Sequence, residues 1–117
     1  MLKQIKLTNF RAARSREYAF TEGLQVVRGS NEAGKSTLLE AMMYALYGSR
    51  ALRDSLTNTV TYGEKDTTLK VEALFNFDSD DYLFVRHKCG AEVYVNGAGE
   101  PFVTGQTEVT QFATKLV

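Results

Sequence analysis

Eight residues at positions 29–36, with the sequence GSNEAGKS, match the pattern G-x-x-x-x-G-K-[S/T] at every fixed position. The two glycines, Gly29 and Gly34, allow the backbone to curl so that successive N–H groups converge on a phosphate without a Cβ in the way. In this pattern Lys35 neutralises the β- and γ-phosphates, and Ser36 places its hydroxyl on Mg²⁺. The spacing therefore predicts a site for a nucleoside triphosphate with magnesium.

The elements on either side of this motif are those that the chemistry requires. Residues 24–28 form a predicted apolar strand, and an amphipathic helix is predicted to begin near Lys35 and to stop at Gly48. Such a helix points the positive end of its dipole at the bound phosphate. The spacing predicts one buried face, with Glu40 directed elsewhere, made of Leu38, Leu39, Met42, Met43, Leu46 and Tyr47. An incidental Gly-rich turn is the weaker interpretation, because it requires neither element.

The rest of the chain is mostly organised with a period of two, which predicts a sheet. Strands are expected at 2–10, 17–20, 68–77, 81–87, 92–95 and 100–103, with a turn at 11–15 and a final helix at 107–117. Asn96-Gly97 is the strongest hairpin signal in the chain, and residues 49–61 are expected to be irregular or partly helical. The predicted fold class is α/β, with a mixed or antiparallel sheet around the P-loop strand and helix.

The sequence lacks the parts with which an ATPase hydrolyses its nucleotide. A Walker B motif needs a continuous apolar strand that ends in Asp. The nearest candidate, residues 71–78, is interrupted by Glu72 and Asn76 and is better interpreted as an alternating strand that leads into a turn. No Leu-Ser-Gly-Gly signature occurs in the chain. Phosphoryl transfer depends on positioning and charge stabilisation, so we assign no catalytic residue here and expect nucleotide binding with slow hydrolysis.

The composition is typical of a soluble globular domain. The 117 residues are 44% hydrophobic and 24% charged, with zero formal net charge, and no apolar run has the length of a signal peptide or a membrane span. The charge is uneven, since residues 1–20 hold five basic residues and one acidic residue, a net charge of +4. This skew is typical either of a protected edge strand or of a patch that faces phosphates.

The single cysteine, Cys89, excludes an internal disulfide and favours a reducing compartment. His87 lies two residues away, but two ligands are too few for a zinc site. Both side chains are more simply interpreted as structural.

Several short strings in the first 48 residues together resemble a known family. They are Ile-Lys-Leu-Thr-Asn-Phe-Arg at 5–11, Phe-Thr-Glu-Gly-Leu at 20–24, the phosphate loop with Thr37, Leu-Leu-Glu-Ala at 38–41 and Leu-Tyr-Gly at 46–48. The combination resembles the N-terminal head segment of SMC-like repair ATPases. It is most similar to SbcC-type proteins, the ATPase partners of a double-strand-break repair nuclease. The resemblance continues more loosely through Gly63 and the strands at 71–77 and 82–86.

This resemblance implies the N-terminal lobe of an ABC/SMC-type ATPase head over residues 1–117. In the family a long antiparallel coiled coil follows, and a C-terminal lobe supplies the signature and Walker B motifs. Two heads sandwich two ATP molecules, and their closure is coupled to DNA and to the nuclease. The implied cofactors are ATP and Mg²⁺. The implied partners are the C-terminal lobe, a second head, the nuclease subunit and DNA, with no membrane and a cytoplasmic, nucleoid-associated location.

The predicted helix at 107–117 has no stop signal, and the glutamine loop of the family is absent. We therefore expect the chain to be a fragment of such a head. Residue by residue, the resemblance assigns Arg11 to the nucleotide phosphates and residues 60–62 to the nucleoside end. Without it, Arg11 would be interpreted as a turn arginine in solvent. The predicted ATP-binding residues, with Ser36 also assigned to magnesium, are Arg11, Asn31, Glu32, Ala33, Gly34, Lys35, Ser36, Thr37, Val60, Thr61 and Tyr62.

Two other classes of function remain open from the sequence. The nucleotide-binding domain of an ABC transporter also has antiparallel strands before its phosphate loop, but it usually stacks an aromatic residue on adenine and lacks the Asn-Phe-Arg opening at 9–11. A non-catalytic module that uses nucleotide to order an interface is the third class. Sequence downstream would distinguish a repair ATPase from a transporter domain, because a heptad coiled coil favours repair and a compact helical subdomain favours transport.

Overall fold

The structure, a computed structural model, describes residues 2–11, 13–19, 32–52, 59–60 and 63–116, with the backbone alone at 13, 14 and 32–36. The described strands are β1 (Leu2–Phe10), β2 (Ala13–Ala19), β3 (Lys70–Phe77), β4 (Asp80–His87), β5 (Gly90–Val95) and β6 (Val103–Thr104). The described α-helices are α1 (Glu32–Tyr47) and α2 (Gln106–Leu116), and 3₁₀ turns occur at Ser49–Ala51 and Asp66–Thr68. The predicted strand at 24–28 and the loop residues 29–31 lie outside the described residues, as do Thr61 and Tyr62.

The six described strands form one antiparallel sheet in the order β2-β1-β3-β4-β5-β6. Asp78 and Ser79, with φ values of 51° and 71°, connect β3 to β4. Asn96 and Gly97, with φ values of 52° and 72°, follow β5 at the predicted hairpin turn. Positive φ at both central residues is typical of the type I′ turn, whose twist matches that of the flanking strands.

The sequence places two strand boundaries wrongly, each for a local reason. A return strand was predicted at 100–103, but pairing with β5 begins only after Pro101, which has no N–H to donate to the ladder. The predicted turn at 11–15 is shorter than expected, because Phe10 already pairs with Ala13 and β2 begins there. Positive φ values at Asn9 and Arg11 of 49° and 51° accompany this abrupt reversal.

Alternation along the strands gives the sheet one apolar face, and both helices cover it. Side chains paired across neighbouring strands share a face, as Ala73 does with Ile5 on one side and with Phe84 on the other. The buried residues of this face are Ile5, Leu7, Val71, Ala73, Phe75, Phe84, Arg86, Ala91 and Val93. The opposite face has no covering helix among the described elements.

Helix α1 begins at Glu32, three residues before the predicted start, and ends at Tyr47, before Gly48 with a φ of 85°. Its buried face overlaps the predicted one, since Leu46 is buried and Leu38, Met42 and Tyr47 pack against the core, but its centre is shifted. Ala41, Tyr44 and Ala45 face the sheet, and their small or flat side chains allow close approach of the helix. The prediction counted long apolar side chains only and therefore missed these alanines.

Helix α2 follows β6 directly and packs as the sequence predicts. Val109 and Ala113 are buried, and Phe112 and Leu116 pack against the core from its border. Phe112 also contacts the rings of Tyr82, Phe84 and Phe102 at centroid distances of 5.7 to 6.2 Å. These aromatic contacts tie α2 to the far half of the sheet.

Candidate nucleotide-binding site

The N-terminal end of α1 lies within the phosphate-loop motif. The backbone of residues 32–36 forms the first turn and a half of a 16-residue helix, so that the N–H groups without intrahelical partners belong to the motif. Such a helix end favours an anion. Nothing is described of Asn31 or of the side chains of Glu32, Ala33, Gly34, Lys35 and Ser36, and their roles stay predictions. Thr37 is described and is half-buried.

Arg11 lies at the end of β1 and forms a side-on ion pair with Glu40 of α1. Its Nε donates to Oε1 at 2.6 Å, and its Nη2 donates to Oε2 at 2.9 Å. The side chains are 20% and 5% exposed, respectively. A bidentate pair of this kind is short and directional, and it fixes the plane of the guanidinium. Arg11 is therefore held against the phosphate-loop helix and is not a free turn arginine in solvent.

Residues 59–60 contact the end of β1 beside Arg11. The backbone N–H of Arg11 donates to the carbonyl oxygen of Thr59 at 2.6 Å, and Val60 forms an isolated antiparallel bridge with Phe10. Thr59 and Phe10 are fully buried. The structure thus brings together two of the predicted site residues, Arg11 and Val60, beside α1.

Sequence reasoning missed Glu40, which was expected to point away from the buried face. The residue is 6% exposed, and a buried carboxylate requires a cation or several donors to offset its lost hydration. Arg11 meets this requirement from a strand 29 positions earlier in the chain. The sequence did contain a signal that Glu40 lies near the site. An acidic residue four positions after Ser36 is on the same side of the helix as the predicted magnesium ligand.

Leu39 and Met43 lie on the other flank of α1 and are 59% and 37% exposed. Both were predicted to belong to the buried face, and that prediction is wrong for this structure. They are one helical turn apart and form a continuous apolar strip. Solvent-exposed apolar strips on a central helix are typical of surfaces that pack against another element.

The C-terminal end of α1 is capped by one backbone N–H group and two side chains. Its last four carbonyl oxygens all accept hydrogen bonds: that of Tyr44 from Gly48 N–H at 2.8 Å, and that of Tyr47 from the Thr110 hydroxyl at 3.3 Å. Those of Ala45 and Leu46 accept from Arg86 Nε and Nη2 at 3.3 and 3.0 Å. The cation thus lies at the negative end of the helix dipole.

Arg86 is 1% exposed and also reaches the start of α2, where Nη1 donates to the carbonyl oxygen and the side-chain oxygen of Gln106. Burial lowers the pKa of Arg86, and the neighbouring Tyr44 opposes that shift. Burial raises the pKa of Tyr44 to about 12, against the effect of Arg86. Both groups border a cavity of about 400 Å³ between the end of α1 and the start of α2. This end of α1 is a structural joint, far from the phosphate loop.

The strand that most resembled a Walker B motif is a hairpin strand. β3 is antiparallel to both of its neighbours, and Asp78 belongs to the two-residue turn that leads into β4. The sequence-based interpretation is confirmed on this point. Within the described parts of the chain, no three His, Cys, Asp or Glu side chains are grouped so that they could hold a metal ion.

The basic stretch at residues 1–20 is partly neutralised in the fold. Lys3 pairs with Asp81 at 3.4 Å, and Arg11 pairs with Glu40. Lys6 stands on the open face of the sheet opposite Glu17 and Glu72. The described charges are dispersed and do not form a single phosphate-facing patch, and Lys3 and Lys6 lie on β1, an interior strand of the sheet. Among the described helices, none is both long enough and apolar enough to cross a bilayer.

Comparisons with known proteins agree with this arrangement. A family model described as an AAA domain matches residues 4–114. The chain is similar to the DNA double-strand break repair Rad50 ATPases of Methanococcus maripaludis, with 32% identity over 83% of this chain, and of Archaeoglobus fulgidus, with 27% identity over 98%. It spans only 10% and 12% of the length of those two proteins.

A solved structure of the recombination mediator protein RecF with ATP, in the RecFOR pathway, is also similar. It matches with a TM-score of 0.58 and 30% identity, over 83% of this chain and 27% of that one. A second RecF structure, described with ATPrS, matches with a TM-score of 0.57 and 29% identity over the same shares. The similarity therefore extends to nucleotide-bound recombination proteins.

Proposed function

Since the chain belongs to this AAA-domain family and is an N-terminal segment of the Rad50/SMC-like type, we propose that it is the ATP-binding lobe of a DNA-repair ATPase head. The observation that supports this most directly is the 16-residue helix that begins inside the phosphate-loop motif and packs on the sheet. A strand, a glycine-containing loop and such a helix are the parts that a triphosphate site requires.

The residues available fit ATP with magnesium. Backbone N–H groups at the start of α1 and the ammonium group of Lys35 would hold the phosphates, and Arg11 would add a second cation from the end of β1. The Ser36 hydroxyl is a hard oxygen donor of the kind that magnesium prefers. When bound, Mg²⁺ neutralises charge on the β- and γ-phosphates. Asn31, Thr37 and residues 60–62 complete the proposed site.

The apolar strip of Leu39 and Met43 supports a second lobe as partner. A helix that is buried on one flank and exposes about half of a leucine on the other is suited to be sandwiched between two layers. We assign the second layer to the C-terminal ATPase lobe, which would also bring the missing Walker B carboxylates. The other partners that we propose follow from the family resemblance. They are DNA, a nuclease subunit and a second head, which would join this one through bound ATP. The proposed location is cytoplasmic.

The test of nucleotide binding compares the wild type with Lys35→Ala, using a fluorescent ATP analogue with Mg²⁺ and the full chain. The matched control is Lys65→Ala, because Lys65 is an exposed lysine outside the motif. We expect Lys35→Ala to weaken binding at least tenfold, about 1.4 kcal/mol, and the control to leave it unchanged. Equal affinities for wild type and Lys35→Ala would remove the proposal.

The test of the second lobe uses turnover. ATP hydrolysis by this chain alone should stay near background and rise when a C-terminal lobe of the same family is added. Leu39→Glu should reduce that rise, because a buried charge in the joint between the lobes is costly. Gln111→Glu, an exposed change on α2, is the control. Strong hydrolysis by the isolated chain, or full activation of Leu39→Glu, would contradict this assignment.

A further inference from the structure

We propose that Glu40 is a positioning residue for Arg11, holding its guanidinium at the phosphate side of α1. This inference rests on the proposed function, because it assumes that Arg11 contacts the nucleotide phosphates. Glu40 itself touches no nucleotide in this proposal. Its role is to fix the direction of the guanidinium at the end of a long side chain.

The geometry of the pair supports orientation and not charge alone. Glu40 binds the side of the guanidinium formed by Nε and Nη2, with distances of 2.6 and 2.9 Å. This side-on pair needs only two of the five N–H donors that a guanidinium has. The planar fork gives the guanidinium a defined direction once Glu40 holds one side of it, which the ammonium group of a lysine would not have.

The backbone of Arg11 is fixed independently of its side chain. Arg11 has a φ of 51°, and its N–H donates to the carbonyl oxygen of Thr59. Phe10, the preceding residue, is fully buried and bridges Val60. With the Cα held by the strand end and the guanidinium held by Glu40, both ends of the side chain are anchored.

The position of Glu40 along the helix directs the pair toward the nucleotide. Glu40 follows Ser36 by four residues, so the two positions lie nearly one above the other on the same face, about 6 Å apart along the axis. Ser36 is the proposed magnesium ligand. The Arg11–Glu40 pair thus lies about one helical turn beyond the residue that would hold magnesium, on the same face of α1.

Two possible roles for Glu40 predict opposite effects of Glu40→Gln on ATP affinity. If Glu40 acted only through its charge, Glu40→Gln would remove a carboxylate near a polyphosphate and strengthen ATP binding. If Glu40 positions Arg11, the same change weakens ATP binding, because the neutral amide pairs less tightly with the guanidinium. The sign of the effect therefore separates orientation from simple electrostatics.

The experiment is a double-mutant cycle on Mg-ATP affinity in the full chain, with wild type, Arg11→Ala, Glu40→Gln and the double variant. We expect each single variant to weaken binding about tenfold. The double variant should bind within about twofold of Arg11→Ala, since Glu40 has nothing left to position. Glu100→Gln, in an exposed turn, is the control for loss of a negative charge.

The outcomes separate this inference from the proposed function. Unchanged or tighter binding by Glu40→Gln would overturn the positioning role, as would an equal loss in the wild-type and Arg11→Ala backgrounds. Wild-type affinity in Arg11→Ala with a loss in Lys35→Ala would overturn this inference and leave the phosphate-loop site intact. Wild-type affinity in Lys35→Ala would remove the proposed function itself.

A second variant covers failure of Glu40→Gln to fold. Glu40→Asp keeps the charge and shortens the side chain by one methylene. The ion pair with Arg11 is then displaced, while the net charge of the pair is unchanged. We expect a folded protein, checked by thermal unfolding, with ATP affinity lowered several-fold. Wild-type affinity in Glu40→Asp would count against the positioning role.

Discussion

Replacement of Arg86 by methionine should destabilise the fold strongly, because two helix carbonyls lose their donors together. Arg86 supplies the hydrogen bonds to the carbonyl oxygens of Ala45 and Leu46, which have no intrahelical partner at the end of α1. Methionine occupies much of the same volume and offers no donor. It also keeps water from entering the space that a smaller side chain would leave beside the cavity.

The expected magnitude follows from these contacts. A buried carbonyl without a donor costs about 1 to 3 kcal/mol, and loss of a cation at a helix C-terminus costs up to about 1 kcal/mol more. Burial of the guanidinium charge is itself unfavourable, and it lowers the pKa of Arg86. Methionine removes this cost, which offsets part of the lost stability. We expect a net loss of about 3 kcal/mol, which corresponds to a decrease in Tm of about 12 °C for a domain of this size.

Urea unfolding followed by circular dichroism measures this free energy of unfolding. Arg86→Lys should lose about half as much, because an ammonium group keeps the charge but lacks the planar fork. Thr110→Val is the comparison variant: it removes the hydroxyl that donates to the carbonyl oxygens of Tyr47 and Gln106 and accepts from Arg86 Nη2, but it leaves the hydrogen bonds of Arg86 to Ala45 and Leu46, and it should cost about 1 kcal/mol. A loss below about 1 kcal/mol for Arg86→Met would refute the reasoning that these carbonyls depend on Arg86.

Three further predictions concern neighbouring groups. Gly48→Ala should cost about 1 to 2 kcal/mol in urea unfolding, because Gly48 has a φ of 85° and a Cβ there would lie 3.0 Å from Arg86 Nη1; an unchanged midpoint would contradict this. The pKa of Tyr44 is raised to about 12, above that of an unfolded tyrosine, so its contribution to stability is complete below about pH 10 and is lost as pH rises through 12. Tyr44→Phe should therefore remove the latest phase of an absorbance titration at high pH and flatten alkaline unfolding. The hydrogen bond from Asn76 holds the pKa of Asp81 below its ordinary value, so the stability it supplies is present above about pH 4 and is lost as pH falls through the folded pKa. Asp81→Asn should make the urea midpoint less sensitive to acid, and an identical acid profile would show that this carboxylate does not contribute.

The sequence predicted those parts of the fold that depend on local pattern. The α/β fold of the ABC/SMC type is confirmed by the family match and by the RecF structures. Alternation identified β1 and β3, and the alternating apolar residues Ile5 and Val71 are buried in the structure. Turn chemistry identified the reversal at Asn96 and Gly97, because only a few residue types accept positive φ at both positions.

The sequence failed where a residue's environment is set by a distant partner. The burial of Glu40 depends on Arg11, and no helical period contains that information. Arg86 falls within the strand predicted at 81–87, but its hydrogen bonds to the end of α1 depend on residues about forty positions earlier. Leu39 satisfies an apolar pattern and yet is exposed, because a pattern states which side chains prefer burial and not which surface is present to cover them.

The order of strands in the sheet has a consequence for cooperativity. Among the six described strands, four of the five pairings join consecutive strands, whereas the β1–β3 pairing places Leu7 opposite Val71, more than sixty positions away. Closing so long a loop is entropically unfavourable, so this seam is expected to open before the β3–β6 meander does. Helix α1 contacts β1, β3 and β4 and so lies across the seam. A ligand that stabilises α1 would thereby slow amide exchange along β1 and β3. Nucleotide bound at the start of the helix would in this way stabilise strand pairing in the sheet beneath it.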